Sequence, residues 1–418
     1  MQQPSRFLDA GTPPHIITLV LMAAVGALNM NIFLPSLPGM AAWFETDYAL
    51  VQLTVSLYLA GTALLQLFLG PLSDRFGRRP VMLASLWLFL AATLVCVFAP
   101  TIEILLIGRV LQSVVIAGLV LSRAVVRDMV GTAKAASMIG YVTMGMTLVP
   151  MLGPTLGGIL DQLFGWQANF VVTFIFGVIV LVVVWRDLGE TNETMSASFA
   201  QQFRAYPELL RARRFWGYAL TATFASGAFF SFLGGGPYVA SNVLGMAPHE
   251  VGYHFFFIAL GYMIGNFLAG RFSIVIGLNP MMVIGNFVAA CGMVLSIGLF
   301  LAGFFHPMAF FGPIFFVGFG NGMTLPNANA GVVSVRPHLA GSASGLGGAM
   351  MIGGGAGLSV IASASLSPET GPYPLLVTML ISSMAGVAAS LYVVYASRRS
   401  GVAATALEDA APDRIVGE

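Results

Sequence analysis

The sequence predicts an all-α membrane protein with twelve transmembrane helices in two pseudo-symmetric halves of six. Of its 418 residues, 57% are hydrophobic and 8% are charged, whereas a water-soluble domain carries about 25% charged residues. The apolar residues form runs long enough to cross a bilayer, which takes about 20 residues. Nearly all basic residues lie at the termini or in every second connection between those runs.

The apolar runs give the order of the predicted helices, numbered 1 to 12. Those of the first half cover residues 14–36, 48–70, 80–98, 103–125, 136–158 and 167–186. Those of the second half cover residues 214–237, 252–272, 279–302, 307–330, 341–364 and 373–396. The predicted organisation is therefore an N-terminal tail (1–13), a first half (14–186), a linker (187–213), a second half (214–396) and a C-terminal tail (397–418).

The positive charges predict the orientation of the bundle, because lysine and arginine are retained on the cytoplasmic side of a membrane. Except for Arg109 and Arg123, every lysine and arginine falls at a terminus or at an even-to-odd connection. The opposite connections carry acidic residues such as Glu45 and Asp161. Both termini, the linker and the even-to-odd connections are therefore expected in the cytoplasm.

Composition and motif content exclude other classes of protein. A net charge of +1 provides no field that would attract nucleic acid. The sequence contains no metal-ligand cluster, nucleotide-binding loop or nucleophile motif, so we expect no enzyme, no cofactor and no metal site. Two six-helix halves are typical of transporters that bind a substrate between them near the midplane. We therefore expect a monomeric carrier of a small molecule, embedded in a lipid bilayer.

The connection between predicted helices 2 and 3 carries a dense motif, Gly70-Pro-Leu-Ser-Asp74-Arg75-Phe-Gly77-Arg78-Arg79-Pro80. The glycines permit close backbone approach in a tight turn, and Asp74 can pair with an arginine at the membrane boundary. The segment resembles the signature loop of the major facilitator superfamily. The resemblance implies that the loop is a cytoplasmic gate latch with Asp74 as its acid and Arg127, or Arg123 one turn earlier, as its partner.

The end of predicted helix 5 reads Gly153-Pro154-Thr-Leu-Gly157-Gly158. Small residues let helices pack closely in a membrane, and the proline bends the helix. This element resembles one common in the drug-exporting antiporters of the superfamily. A narrower resemblance links the chain to the bicyclomycin/chloramphenicol-resistance exporters, through residues 33–38, 122–128, 165–167 and 340–346. The resemblance covers essentially the whole chain and implies a multi-pass drug:proton antiporter of the bacterial inner membrane.

Polar residues within the predicted helices are candidates for the substrate site, because ionisable groups in a bilayer are costly. Arg109 and Gln112 share one face of helix 4, and this face is expected to line a central cavity. Aromatic residues and asparagines of the second half are expected to give this cavity an apolar wall with a few amides. Such a wall suits neutral or weakly anionic lipophilic molecules such as amphenicols. The substrate-binding candidates are Asn29, Asn31, Arg109, Gln112, Met144, Phe230, Tyr238, Asn266, Asn321 and Asn327.

Helix 1 departs from the resembled family, which has an aspartate where this chain has Asn31. A proton antiporter needs a group that titrates in its cavity, and an amide does not titrate. Coupling then uses Asp128 or Asp74, or it uses His254, or the chain is an uncoupled facilitator of a metabolite. The candidates for gating and coupling are Gly70, Asp74, Arg75, Gly77, Arg78, Arg123, Arg127, Asp128, Gly153, Pro154, Gly157 and Gly158.

Overall fold

A computed structural model of the chain describes residues 5–130, 138, 142, 149, 152–192, 206–336 and 339–399. Over these residues the regular structure is entirely helical. The first-half helices are α1 (Ile16–Trp43), α2 (Tyr48–Phe76), α3 (Arg78–Val97), α4 (Ile102–Met129), α5 (152–164) and α6 (Gln167–Asp187). The second-half helices are α7 (Arg213–Tyr238), α8 (Pro248–Ile276), α9 (Leu278–Leu301), α10 (Pro307–Ser334), α11 (Ala340–Ala364) and α12 (Tyr373–Arg399).

Among the described residues, ten helices are long and apolar enough to cross a membrane, with mean hydropathies of 1.4 to 2.6. Predicted helix 5 is described only in part, and Met144 lies outside the described residues. The other exception is α7, where 20 of 26 residues are buried. Protein rather than lipid surrounds α7, so glycine, serine and threonine replace larger apolar residues along it. Twelve crossings and cytoplasmic termini remain predictions.

Backbone-to-backbone contacts at glycines hold neighbouring helices together within each half. A Cβ atom added to Gly118 of α4 would lie 1.8 Å from the carbonyl oxygen of Met22 in α1. In the second half, a Cβ added to Gly318 of α10 would lie 2.0 Å from the carbonyl oxygen of Ile258 in α8. Only glycine fits such contacts, which explains part of the chain's high glycine content.

The turns that join α2 to α3 and α8 to α9 have the same backbone conformation. Gly77 has φ 96° and ψ 153°, and Gly277 has φ 92° and ψ 156°. Both are positive-φ positions that favour glycine. The surrounding spacing, Gly70…Gly77…Pro80, recurs 200 residues later as Gly270…Gly277…Pro280. The two halves therefore share a local structure as well as a helix order.

The signature segment is less of a loop than the sequence predicts. Residues up to Phe76 continue α2, and α3 begins at Arg78, so Gly77 alone makes the turn. Pro71 lies inside α2 without ending it. The aspartate and arginines of the motif are consequently presented from helix ends, which fixes their positions.

The segment before α1 is attached to the end of α6 through Asp187, a fully buried carboxylate. Its oxygens accept hydrogen bonds from the backbone N–H groups of Leu8 (2.6 Å) and His15 (2.9 Å) and from the hydroxyl of Thr18 (2.6 Å). Part of the predicted N-terminal tail is thus ordered against the first half of the bundle.

Candidate substrate path and gate

The two halves contact each other through α5 and α8, at the end of the bundle predicted to face outward. The hydroxyl of Thr155 donates to the carbonyl oxygen of Gly252 over 3.0 Å. A Cβ added to Gly158 would lie 2.4 Å from the carbonyl oxygen of Pro248, and one added to Gly252 would lie 2.5 Å from that of Pro154. The helix 5 motif therefore forms part of the contact between the halves.

The adjacent glycines of that motif contact different halves. Gly158 faces α8, whereas a Cβ added to Gly157 would lie 1.6 Å from the carbonyl oxygen of Ile32 in α1. One glycine thus permits packing within the first half, and the next permits packing between the halves.

A second contact between the halves joins α2 to α11 and α7. The side-chain amide of Gln52 donates to the hydroxyl of Ser359 over 2.9 Å, and that hydroxyl donates to the carbonyl oxygen of Phe230 over 2.8 Å. The hydroxyl of Tyr48 donates to the carbonyl oxygen of Gly234 over 2.5 Å. Sequence reasoning missed Gln52, a buried glutamine in an apolar helix, and that unusual placement was its signal.

At the opposite end, predicted to be cytoplasmic, a cavity of about 420 Å³ lies between the halves. We call it the arginine pocket. It is lined by Gln66, Gly70, Asp74, Arg78, Val120, Arg123, Ala124, Arg127, Asp128, Leu339, Gly341, Ser342, Ser344 and Gly345. Six of the predicted gate and coupling residues are among them. A further cavity, of about 650 Å³, lies between the halves at the predicted outer end, beside Tyr48, Tyr238 and Asn242. The two ends differ in that the backbone contacts between α5 and α8 are at the outer end.

Arg78 connects the signature segment to α4. Its guanidinium pairs with Asp74 Oδ1 (2.5 Å) and with Asp128 Oδ2 (3.0 Å), and it donates to the hydroxyl of Ser73 (2.6 Å). The expected partners of Asp74, Arg127 and Arg123, line the same pocket. In this conformation Asp74 pairs with Arg78 instead. Arg78 lies four residues later, at the start of α3, just across the turn at Gly77.

Glu190, beyond the end of α6, caps the start of α3. Its carboxylate accepts hydrogen bonds from the backbone N–H groups of Arg78 (2.9 Å) and Arg79 (3.2 Å). A Cβ on Gly77 would lie 2.4 Å from Glu190 Oε2, so glycine is required there for space as well as for its positive φ. A negative charge at a helix N-terminus is favourable. Sequence reasoning missed Glu190 because it lies more than 100 residues from its partners.

Arg109 is fully buried inside the first half. Its guanidinium donates to the backbone oxygen of Thr54 (3.1 Å), the amide oxygen of Asn29 (3.1 Å) and the amide oxygen of Gln112 (2.6 Å). Three predicted substrate residues, Asn29, Arg109 and Gln112, are therefore brought together. The cluster ties α4 to α1 and α2.

Aromatic rings close this cluster. The guanidinium carbon of Arg109 lies 4.3 Å from the ring centre of Phe33 and 4.5 Å from that of Tyr58. Cation–π contacts and carbonyl acceptors stabilise a charge that would otherwise be costly in an apolar interior. The expectation that Arg109 lines an open cavity does not match this conformation, in which none of its surface is exposed.

The other predicted substrate residues are dispersed. The amides of Asn31, Asn266 and Asn327 each donate to a carbonyl oxygen four residues earlier in their own helix, over 2.7, 2.8 and 2.7 Å. Tyr238 packs against Tyr48 at the outward end, with ring centres 4.9 Å apart. These residues do not form one site with the Arg109 cluster in this structure, and Phe230 and Asn321 are buried in the second half.

Comparison with known proteins places the chain in a family. A profile described as the Major Facilitator Superfamily matches residues 19–360. The chain belongs to the major facilitator superfamily. An uncharacterized MFS-type transporter of Bacillus subtilis, YdgK, is 32% identical over 377 residues, covering 88% of this chain and 92% of that protein. A chloramphenicol resistance protein of Pseudomonas aeruginosa is 28% identical over 362 residues, covering 85% of both chains.

The fold is also that of solved transporters. The crystal structure of a bacterial homolog of the human lysosomal transporter Spinster, inward-facing and unoccupied, superposes with a TM-score of 0.65 at 18% identity. The match covers 95% of this chain and 98% of that one. The resemblance to the bicyclomycin/chloramphenicol-resistance transporters is confirmed by the named relatives. The chain is thus a multi-pass membrane transporter of the superfamily.

Proposed function

We propose that this protein is a secondary active exporter that moves small molecules out of the bacterial cytoplasm by alternating access. In this proposal two six-helix halves, residues 14–186 and 214–396, form twelve crossings, and both tails and the 187–213 linker lie in the cytoplasm. The observation that carries the proposal is the asymmetry between the ends. Backbone contacts between α5 and α8 join the halves at the predicted outer end, and the arginine pocket lies between the halves at the other end, as expected of one state of an alternating-access carrier.

We propose neutral or weakly anionic lipophilic drugs, such as amphenicols, as substrates. A relative named a chloramphenicol resistance protein supports this choice. So does the charge of the interior, because Arg109, a fully buried ionisable group that joins α4 to α1 and α2, is a cation. A buried arginine disfavours a lipophilic cation near it and tolerates a neutral or anionic molecule.

Proton coupling is proposed to pass through Asp74 and Asp128. Both line the arginine pocket and share Arg78 as an ion partner. Protonation of Asp128 would remove the ion pair that attaches the signature segment to α4, and protonation of Asp74 would remove the ion pair within the segment. His254 is the less favoured candidate, because its ring packs on Phe311 and its Nδ1 contacts the carbonyl oxygen of Glu250, on α8.

The second candidate is an uncoupled facilitator of a metabolite on the same fold. Asn31 favours this candidate. The resembled family has an aspartate at this position, whereas the amide of Asn31 does not titrate and donates to the carbonyl oxygen of Ala27. The two candidates differ in whether substrate moves against its gradient.

A growth-protection experiment tests the exporter proposal. Cells overexpressing the chain are challenged in parallel with chloramphenicol and with cationic dyes. Protection against chloramphenicol that is lost on Arg109→Ala and retained on Arg186→Ala, an exposed arginine outside the cluster, is the expected result. Protection against dyes alone would contradict the substrate class, and an Arg109→Ala variant with full protection would contradict the role of the cluster.

A further inference from the structure

We infer that the arginine pocket binds the negatively charged group of a small organic carboxylate, held between Arg123 and Arg127 and the start of α11. The inference rests on the proposed function, because it names a substrate class for the exporter at its cytoplasmic opening. The inference goes beyond the proposed function because it places the binding groups in the arginine pocket, away from the Arg109 cluster.

Three arginines and two aspartates line the pocket, and both aspartates are ion-paired with Arg78. Arg123 is half-buried and Arg127, one turn later, is exposed. Neither arginine is a member of an ion pair within the described part of the chain. A partly buried charge without a partner is costly. A bound anion would offset that cost.

The start of α11 lines the pocket together with these arginines. Gly341, Ser342, Ser344 and Gly345 belong to the first turns of α11 and line the pocket. The N-cap residue is Leu339, which provides no side-chain hydrogen bond to this helix end. The first backbone N–H groups of a helix lack partners within it, and its dipole favours an anion there. Two serine hydroxyls add further donors.

The pocket also has an apolar part that suits the rest of an organic ligand. Val120, Ala124 and Leu339 give the pocket an apolar wall. A volume of about 420 Å³ lies within the range of roughly 300–1,000 Å³ that is usual for organic ligands. One carboxylate on an apolar body therefore fits the pocket better than an inorganic anion, which would leave the apolar wall unused.

The test uses the purified full chain in phosphatidylcholine nanodiscs and measures binding of 2-naphthoate by calorimetry. 2-Naphthamide is the matched neutral probe, and inorganic phosphate is the matched inorganic anion. We expect 2-naphthoate to bind at least tenfold more tightly than either. Arg123→Gln and Arg127→Gln should each weaken its binding about tenfold, and Arg186→Gln, outside the pocket, should leave it unchanged.

A separate variant protects the test against misfolding. Ser342→Asp places a carboxylate in the first turn of α11, where it suits the helix but competes with a bound anion, so 2-naphthoate binding should again weaken. Equal binding of 2-naphthamide or of phosphate would overturn the inference. Loss of 2-naphthoate binding in phosphatidylglycerol nanodiscs would overturn it in favour of a lipid headgroup.

Transport by the same preparation separates this inference from the proposed function. Chloramphenicol export without 2-naphthoate binding would refute the anion site and leave the exporter standing. Binding that depends on both arginines, in a protein that exports neither chloramphenicol nor 2-naphthoate, would support the site and refute the exporter.

Discussion

The contact between α5 and α8 provides a quantitative test of the conformational account. Replacing Gly158 by alanine places a Cβ atom 2.4 Å from the carbonyl oxygen of Pro248 and 2.9 Å from the Cα of His249. Carbon–oxygen contacts are normally at least about 3.3 Å long. The two helices must therefore separate by about 0.9 Å at this point, and both obstructing atoms belong to the backbone.

The cost of this separation falls on one conformation of the carrier. Overpacking of this kind typically costs about 1–3 kcal/mol. Because α5 and α8 belong to different halves, the conformation closed at the outer end bears the cost and the conformation open there does not. The ratio of the two conformations should shift toward the outward-open one by roughly 5- to 150-fold.

Spin-label distance measurements follow this shift. The labels are attached to cysteines that replace Glu45 and Glu369, which are exposed in predicted outer connections of different halves. The native Cys96 and Cys291 are first replaced by alanine. Gly158→Ala should increase the population with a long inter-label distance. Gly357→Ala is the matched control, since nothing lies within 4 Å of its Cβ position. An unchanged distance distribution in a folded Gly158→Ala protein would refute the reasoning.

Three further predictions follow from individual contacts. Gln52→Leu removes the amide that reaches Ser359; at about 0.6 kcal/mol for an interhelical hydrogen bond, the same label pair should report a roughly threefold shift toward the outward-open form. Gly77→Ala should lower the melting temperature more than Gly277→Ala, because only the first meets a side chain, that of Glu190, closer than 3 Å; equal losses would contradict the capping role. Asp187→Asn should speed hydrogen exchange at the Leu8 and His15 amides, whose carboxylate acceptor it removes; unchanged exchange would contradict the attachment of the N-terminal segment.

The sequence predicted the features that depend on composition along one helix. Long apolar runs predicted all ten candidate spans in place, and the glycines at 157 and 158 predicted close helix packing. α7 was predicted as a span although it is less apolar than the others, and the structure explains its composition by burial among other helices. Local patterns were sufficient for these features because each depends on residues within about 25 positions.

The site was predicted less well, because partners across the fold are not visible in one sequence. The face that Arg109 shares with Gln112 was predicted, but the closure of that face by Phe33 and Tyr58 was not. Arg78 was expected to be one of several gate residues, and the structure makes it the ion partner of both Asp74 and Asp128. These outcomes depend on distances between helices, which periodicity does not encode.

The central claim is that substrate export is driven by protons through carboxylates of the arginine pocket. Everted membrane vesicles with an imposed pH gradient, acidic inside, test it most directly with a pH-sensitive dye. The account predicts that chloramphenicol releases protons from wild-type vesicles, and that Asp128→Asn abolishes the release while Glu369→Gln, far from the pocket, does not. Chloramphenicol that equilibrates across the membrane without any proton movement would contradict the account and identify the chain as an uncoupled facilitator.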